Sequence, residues 1–190
     1  MTGAQADILS LIAGRRSRRP VRDLAELGQL FRRLGACAAA EAMDTEDQIW
    51  HAWMHHPHRA AATVLDAATR DIAARRYDIA ETRLTALLRS APLYAEAWHK
   101  RATLYYLLGR DEECLQDIRR TLELEPRHFA AMLHFAEIRL DDGAGIEARY
   151  AFAAALTLHP HLPRAREVLA DKAWLGEGRG RPGAAAYNRP

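Results

Sequence analysis

A period of 34 residues constrains this chain more than any other feature. Pro92, Pro126 and Pro160 stand at that interval, and the residue types between them repeat. If Ala95 opens a unit, Trp98 is its position 4, Ala102 position 8, Gly109 position 15, Cys114 position 20, Ile118 position 24 and Pro126 position 32. One period later Met132, Ala136, Gly143, Ala148, Phe152 and Pro160 fall in the same places. One period earlier Val64, Ala68, Ala80, Leu84 and Pro92 do so, with Arg75 where the other units have glycine. A fixed period of this length marks stacked helix-turn-helix units, each burying its apolar face against the next.

The positions explain themselves chemically. Small residues at 8 and 20 (Ala68 and Ala80, Ala102 and Cys114, Ala136 and Ala148) let two helices approach closely, and larger apolar residues at 4 and 24 fill the space around them. Gly109 and Gly143 suit a turn that needs left-handed backbone. Each proline ends a helix, because it lacks an amide hydrogen and disfavours helix at the residue before it. Asp78 with Glu81 reads as a capping box. Leu87 and Thr121 occupy position 27, where looser packing is expected.

This pattern resembles the tetratricopeptide repeat (TPR) family over about half the chain. The resemblance implies an all-α fold, an α-solenoid of three repeats at 61–94, 95–128 and 129–162. A helical hairpin is expected at 20–57 and a capping helix at 163–174, where Ala165, Val168 and Leu169 lie. In the hairpin, Leu24, Leu27, Leu30, Phe31 and Leu34 are spaced helically, Asp44 and Thr45 are candidate N-caps, and Pro57 stops the second helix. Carried backward, the period puts Trp50 and Trp53 at positions 24 and 27, so the hairpin reads as a degenerate unit capping the N-terminal end of the array. Residues 1–19 read as a basic disordered arm containing Arg15, Arg16, Arg18 and Arg19, and 175–190 as a disordered Gly/Pro/Arg tail.

The layout is also similar to a group of bacterial TPR proteins of unclear function. There an acidic residue and an Ile-Trp-x-x-Trp helix precede the repeats, here Glu46 and Ile49 to Trp53. An Ala-Glu-Ala-Trp segment and a Leu-Glu-Pro-Arg-His-Phe segment follow, here Ala95 to Trp98 and Leu124 to Phe129. Members of that group often carry an export signal. The basic residues here follow the apolar run of Ile8, Leu9, Leu11 and Ile12, which is the wrong order for such a signal. The expected location is cytoplasmic, with a periplasmic one as the alternative if a start with an export signal lies upstream.

Composition narrows the function classes. A net charge of +2 is too small to argue by itself for a nucleic-acid partner, which is not expected, and no apolar run approaches the roughly 20 residues of a membrane helix. Cys114 sits at a packing position and reads as buried, and two cysteines make no disulfide framework. No phosphate loop or nucleophile motif is present, so no catalytic residue and no cofactor are expected. His51 and His55 are one helical turn apart, a workable ligand spacing, but they point away from the apolar face of Trp50 and Trp53 and lack a completing set. No metal is expected.

By resemblance, the first helices of the repeats line a concave groove that grips a peptide or a helix of a partner protein. The residues carried to it are Leu65, Asp66, Thr69 and Ile72; then Glu96, His99, Lys100, Thr103 and Tyr106; then Leu133, His134, Glu137 and Leu140. Their mixed polarity suggests an amphipathic partner segment. The clamp that some repeats use for chaperone tails would fall on Leu65, Thr69, Lys100, Ala130 and His134, of which Lys100 alone could serve, so that partner is rejected. The alternative is a structural subunit that self-associates, or attaches to a membrane surface, through the basic arm and the Trp50/Trp53 helix. Partner identity and oligomeric state are not legible in the sequence.

Overall fold

The computed structural model describes residues 3–15 and 25–170, and regular structure among them is helical throughout. Three helix pairs follow the sequence period. They are α4 (Arg59–Ala73) with α5 (Tyr77–Ser90), α6 (Ala95–Leu107) with α7 (Asp111–Leu124), and α8 (Phe129–Asp141) with α9 (Gly145–Leu156). α5 packs on α6, α7 on α8, and α10 (Pro163–Ala170) on α9, which makes the array an α-solenoid. Residues 171–174 of the expected capping helix, and the tail, lie outside the described residues.

The seam inside each pair is built as the small residues imply. Ala68 and Ala80, Ala102 and Cys114, and Ala136 and Ala148 are all 0% exposed. Leu84, Ile118 and Phe152 at position 24 are equally buried, as are Leu87 and Thr121. Thr121 turns its hydroxyl back to the Asp117 carbonyl at 2.8 Å, so its polar atom needs no partner across the seam. The turns after the first helices are left-handed at Gly109 (φ 71°) and Gly143 (φ 74°). Arg75 takes the same conformation without being glycine (φ 58°).

Two capping assignments from sequence do not hold. Asp78 lies inside the first turn of α5, which starts at Tyr77, and Glu81 instead accepts from Tyr105 and Arg110 of the next repeat. Asp44 and Thr45 lie mid-helix, because α3 (Ala39–Met54) begins with the strong helix formers Ala39, Ala40, Glu41 and Ala42. Thr45 bonds back to the Glu41 carbonyl at 3.2 Å.

The N-terminal part is more ordered than its charge suggested. Residues 3–14 of the expected disordered arm form α1 (Gly3–Gly14), which packs across α7 and α9. Ile8, Leu11 and Ile12 form a helical stripe and are buried, and that apolar contact outweighs the neighbouring arginines. Arg15 bonds the Ile12 carbonyl and the Thr157 hydroxyl, while Arg16, Arg18, Arg19 and Arg22 lie outside the described residues.

The α2 (Ala25–Ala36) and α3 hairpin does more than cover one end of the array. α3 touches α4 and crosses α6, and its contacts extend to the loop after α9. It therefore runs along the inter-repeat loops, with Ile49, Trp50 and Trp53 buried beneath it.

Candidate functional site

The first turns of α6 and α8 place an ionic network on the inner wall. On α6, Glu96, His99, Lys100 and Thr103 stand at i, i+3, i+4 and i+7 and so share one face. Glu96 is the hub. His128, just ahead of α8, accepts the Ala131 amide hydrogen at Nδ1 (3.2 Å), so its proton sits on Nε2 and is donated to Glu96 Oε2 at 2.9 Å. His99 Nδ1 lies 3.3 Å from Glu96 Oε1, and Lys100 Nζ lies 3.5 Å from the same oxygen. Glu96, His99, Lys100 and His128 are all at most 1% exposed.

The rings continue from this hub as a column. Trp53 stacks flat on His128 (4.1 Å, 9°), His128 meets His99 at 4.3 Å, His99 meets His134 at 5.2 Å, and His134 meets Tyr106 at 5.2 Å. Trp50 lies 5.8 Å from the His99 ring and 5.1 Å from Lys100 Nζ. Burial would raise the Glu96 carboxyl, but His99, His128 and Lys100 hold it well below the usual carboxylate range. Burial and the neighbouring His128 push His99 down to about 4, and burial pushes His134 well below an ordinary imidazole. Burial likewise lowers Lys100, against the pull of Glu96.

A second hub ties α3 to the far end of the array. Trp50 Nε1 donates to Glu46 Oε1 at 3.1 Å, and His159 Nε2 donates to Glu46 Oε2 at 3.0 Å. His161 Nε2 donates to the Cys37 carbonyl at 3.0 Å, and the Tyr94 hydroxyl donates to the Met54 carbonyl. On α10, Arg164 grips Glu137 through Nε (2.8 Å) and Nη2 (3.2 Å).

The residues carried to the groove from sequence divide between two core clusters, Leu65 and Ile72 packing with Ala68, Ala80 and Leu84, and Tyr106, Leu133 and Leu140 packing with Trp50 and Trp53. Leu65, Thr69 and Ile72 of α4, the five residues of α6, and Leu133, His134, Glu137 and Leu140 of α8 are all buried. Asp66 is exposed, in a cleft of about 530 Å³ between α3 and α4 that Trp50 and Met54 also line. Sequence reasoning missed His128, Glu46 and His159 as members of the site. A signal was present: the Glu46–Trp53, Ala95–Trp98 and Leu124–Phe129 segments that define the resemblance meet here, Trp53 on His128 and Phe129, and His128 on Glu96.

Ligand atoms of Glu96, His99 and His128 lie within 4.8 Å of one another, close enough for a metal ion. Their chemistry fits a hydrogen-bond network better. Ligation through His128 Nε2 would move its proton to Nδ1, against the Ala131 amide, and Lys100 already supplies a cation at the carboxylate. His51, His55 and His58 are exposed; His51 and His55 line the Asp66 cleft with Trp50, and His58 precedes α4.

Comparison with known proteins agrees with this architecture. The chain is 36% identical over 84 residues to a TPR repeat-containing protein of Rhizobium etli. The fold is that of tetratricopeptide repeats. The match covers 43% of this chain and 41% of that relative, so the chain spans less than half of the relative's length. No family model matches the chain. Among the described residues no helix is long and apolar enough to cross a membrane.

Proposed function

We propose that the chain is a non-catalytic scaffold that holds a peptide or helix of a partner protein against the inner wall of its repeats. One observation carries this reading: the wall formed by α6 and α8 holds Glu96, His99, Lys100, His134 and Glu137, all buried. Packing alone does not call for such groups, because desolvating charge costs several kcal/mol per ion and apolar residues would serve as well or better. Ionisable groups gathered on the face that repeats of this kind use for recognition support that role, and a partner would meet them in place of α3, which covers His99 and Lys100 in the chain alone. The alternative, self-association or membrane attachment through Trp50 and Trp53, is disfavoured because both side chains are spent inside the chain, 5% and 6% exposed.

Affinity capture from cell lysate tests the proposal. Truncation to alanine would hollow the core, so the variants keep volume: Thr103→Val, His134→Gln and Leu140→Met, combined. Circular dichroism checks that helix content is kept. A protein retained by wild type and lost by the variant supports the wall as the site. Equal retention by both refutes it.

A further inference from the structure

The seat of α3 is itself built like a recognition site, and α3 shows what it takes. The hydrogen bonds from the array to α3 described above come from inter-repeat loops, and Lys100 of α6 adds a cation over the Trp50 ring. Tyr94 reaches a backbone carbonyl at one end, and His159 reaches the Glu46 carboxylate at the other. Between them the two indoles lie on His128, His99 and Lys100. Side-chain recognition therefore reduces to three residues on one helical face: an acid, an aromatic four positions on, and another aromatic three further, spanning about 12 Å of helix. Its charges are complementary, a carboxylate meeting an imidazole N–H and an indole face meeting an ammonium group.

α3 does not fill this seat completely. Among the described residues His99 Nε2 of the array is buried without a hydrogen-bond partner, as is α3's own Trp53 Nε1. With the His99 proton directed to Glu96, Nε2 is a buried acceptor that a competing ligand could satisfy. The hairpin is also joined to α4 through the segment between Met54 and Arg59, which contains Pro57 and breaks the helix.

We infer that α3 is an internal ligand, and that the partner's segment is an amphipathic helix carrying the same Glu-x-x-x-Trp-x-x-Trp arrangement, which takes the seat when α3 leaves it. This rests on the scaffold reading above and names the class of partner. The tethered α3 competes at an effective concentration in the millimolar range, so a helix that also satisfies His99 Nε2 displaces it most readily.

The test uses a fluorescein-labelled peptide of residues 39–55, titrated by fluorescence anisotropy against the full chain. Wild type binds it weakly. Trp53→Ala, whose own helix seats poorly, binds it at least tenfold more tightly, and a peptide carrying Trp50→Ala and Trp53→Ala binds neither form. Glu46→Gln removes only the carboxylate that His159 reaches; it serves if Trp53→Ala loses its helical signal, and there a several-fold gain is expected. Equal binding to wild type and variant, or equal binding of the substituted peptide, overturns the inference. Lysate capture that still depends on the inner wall would then leave the scaffold reading standing, whereas loss of that dependence alone would sink the scaffold reading.

Discussion

The seam within each repeat and the seam between the array and the α2–α3 hairpin are built by different means. Within a repeat, small side chains such as Ala136 and Ala148 meet with no exposed surface, and one arginine–carboxylate pair per repeat (Arg83–Asp71, Arg101–Asp117, Arg139–Glu147) flanks them. Under the hairpin, indoles lie on imidazoles around a buried carboxylate. At its small residues the first seam rests on shape, so it should be intolerant of added volume there. The second rests on protonation state and partner geometry, so it should fail when a single charge is removed or added.

The sharpest break is Glu96→Leu. It leaves the Lys100 ion pair and the His128 N–H without their shared acceptor in a dry site. The expected loss is about 3–5 kcal/mol, read as a fall in the denaturant midpoint. A loss under ~1 kcal/mol would mean that the network contributes little and that the hairpin seam is held by its apolar contacts.

Acid should act on the same seam. His99 titrates at about 4 in the fold, against 6.5 for a free imidazole, because burial and His128 oppose its charge. The folded value is the lower one, so stability is complete above pH 6.5. It falls as the unfolded chain takes up a proton that the fold refuses, and the loss levels off below pH 4. His99 alone should account for a loss on the order of 3 kcal/mol. His134, lowered for the same reason, and Glu96, whose lowered carboxyl loses stability below 4.5, act in the same direction. Equilibrium unfolding at pH 7 and pH 4.5 checks this, and His99→Gln should flatten the profile. A profile unchanged by that substitution would place the acid sensitivity elsewhere.

The repeat seam is probed by volume. Ala136→Leu adds three carbons where no surface is exposed, and should cost about 1–3 kcal/mol with no change in its pH dependence. A pH-dependent loss would show that the two seams are coupled.

The repeat seams were legible because they are local. Ala102 and Cys114 meet across one short turn, so a 34-residue period suffices to pair them. The hairpin seat joins Glu46 to His159 across 113 residues and His161 to Cys37 across 124, and no periodicity reports such contacts. His128 was hidden for another reason: at a unit's last position it reads as a loop residue, although its ring both caps α8 and donates to Glu96. The groove residues were placed by position alone, which reported neither their burial nor the ionic network that Glu96, His99 and Lys100 form. α1 was hidden by the arginines that follow it, although Ile8, Leu11 and Ile12 already had helical spacing.

The smallest prediction concerns the turn at Arg75, where the repeat pattern departs from glycine yet the backbone does not. An L-residue in left-handed conformation costs roughly 1–2 kcal/mol, part of which is offset because glycine is freer in the unfolded chain. The Arg75 side chain is exposed, so Arg75→Gly loses no packing. It should raise stability by about 0.5–1 kcal/mol, seen as a Tm increase of about 1–4 °C. Gly143→Ala is the converse. A Cβ there meets nothing within 4 Å, so whatever it costs is backbone conformation alone. Opposite shifts of similar size at the two positions would show that both turns obey one backbone rule. A loss at Arg75→Gly would show that its side chain holds the turn in a way the two glycine turns do without.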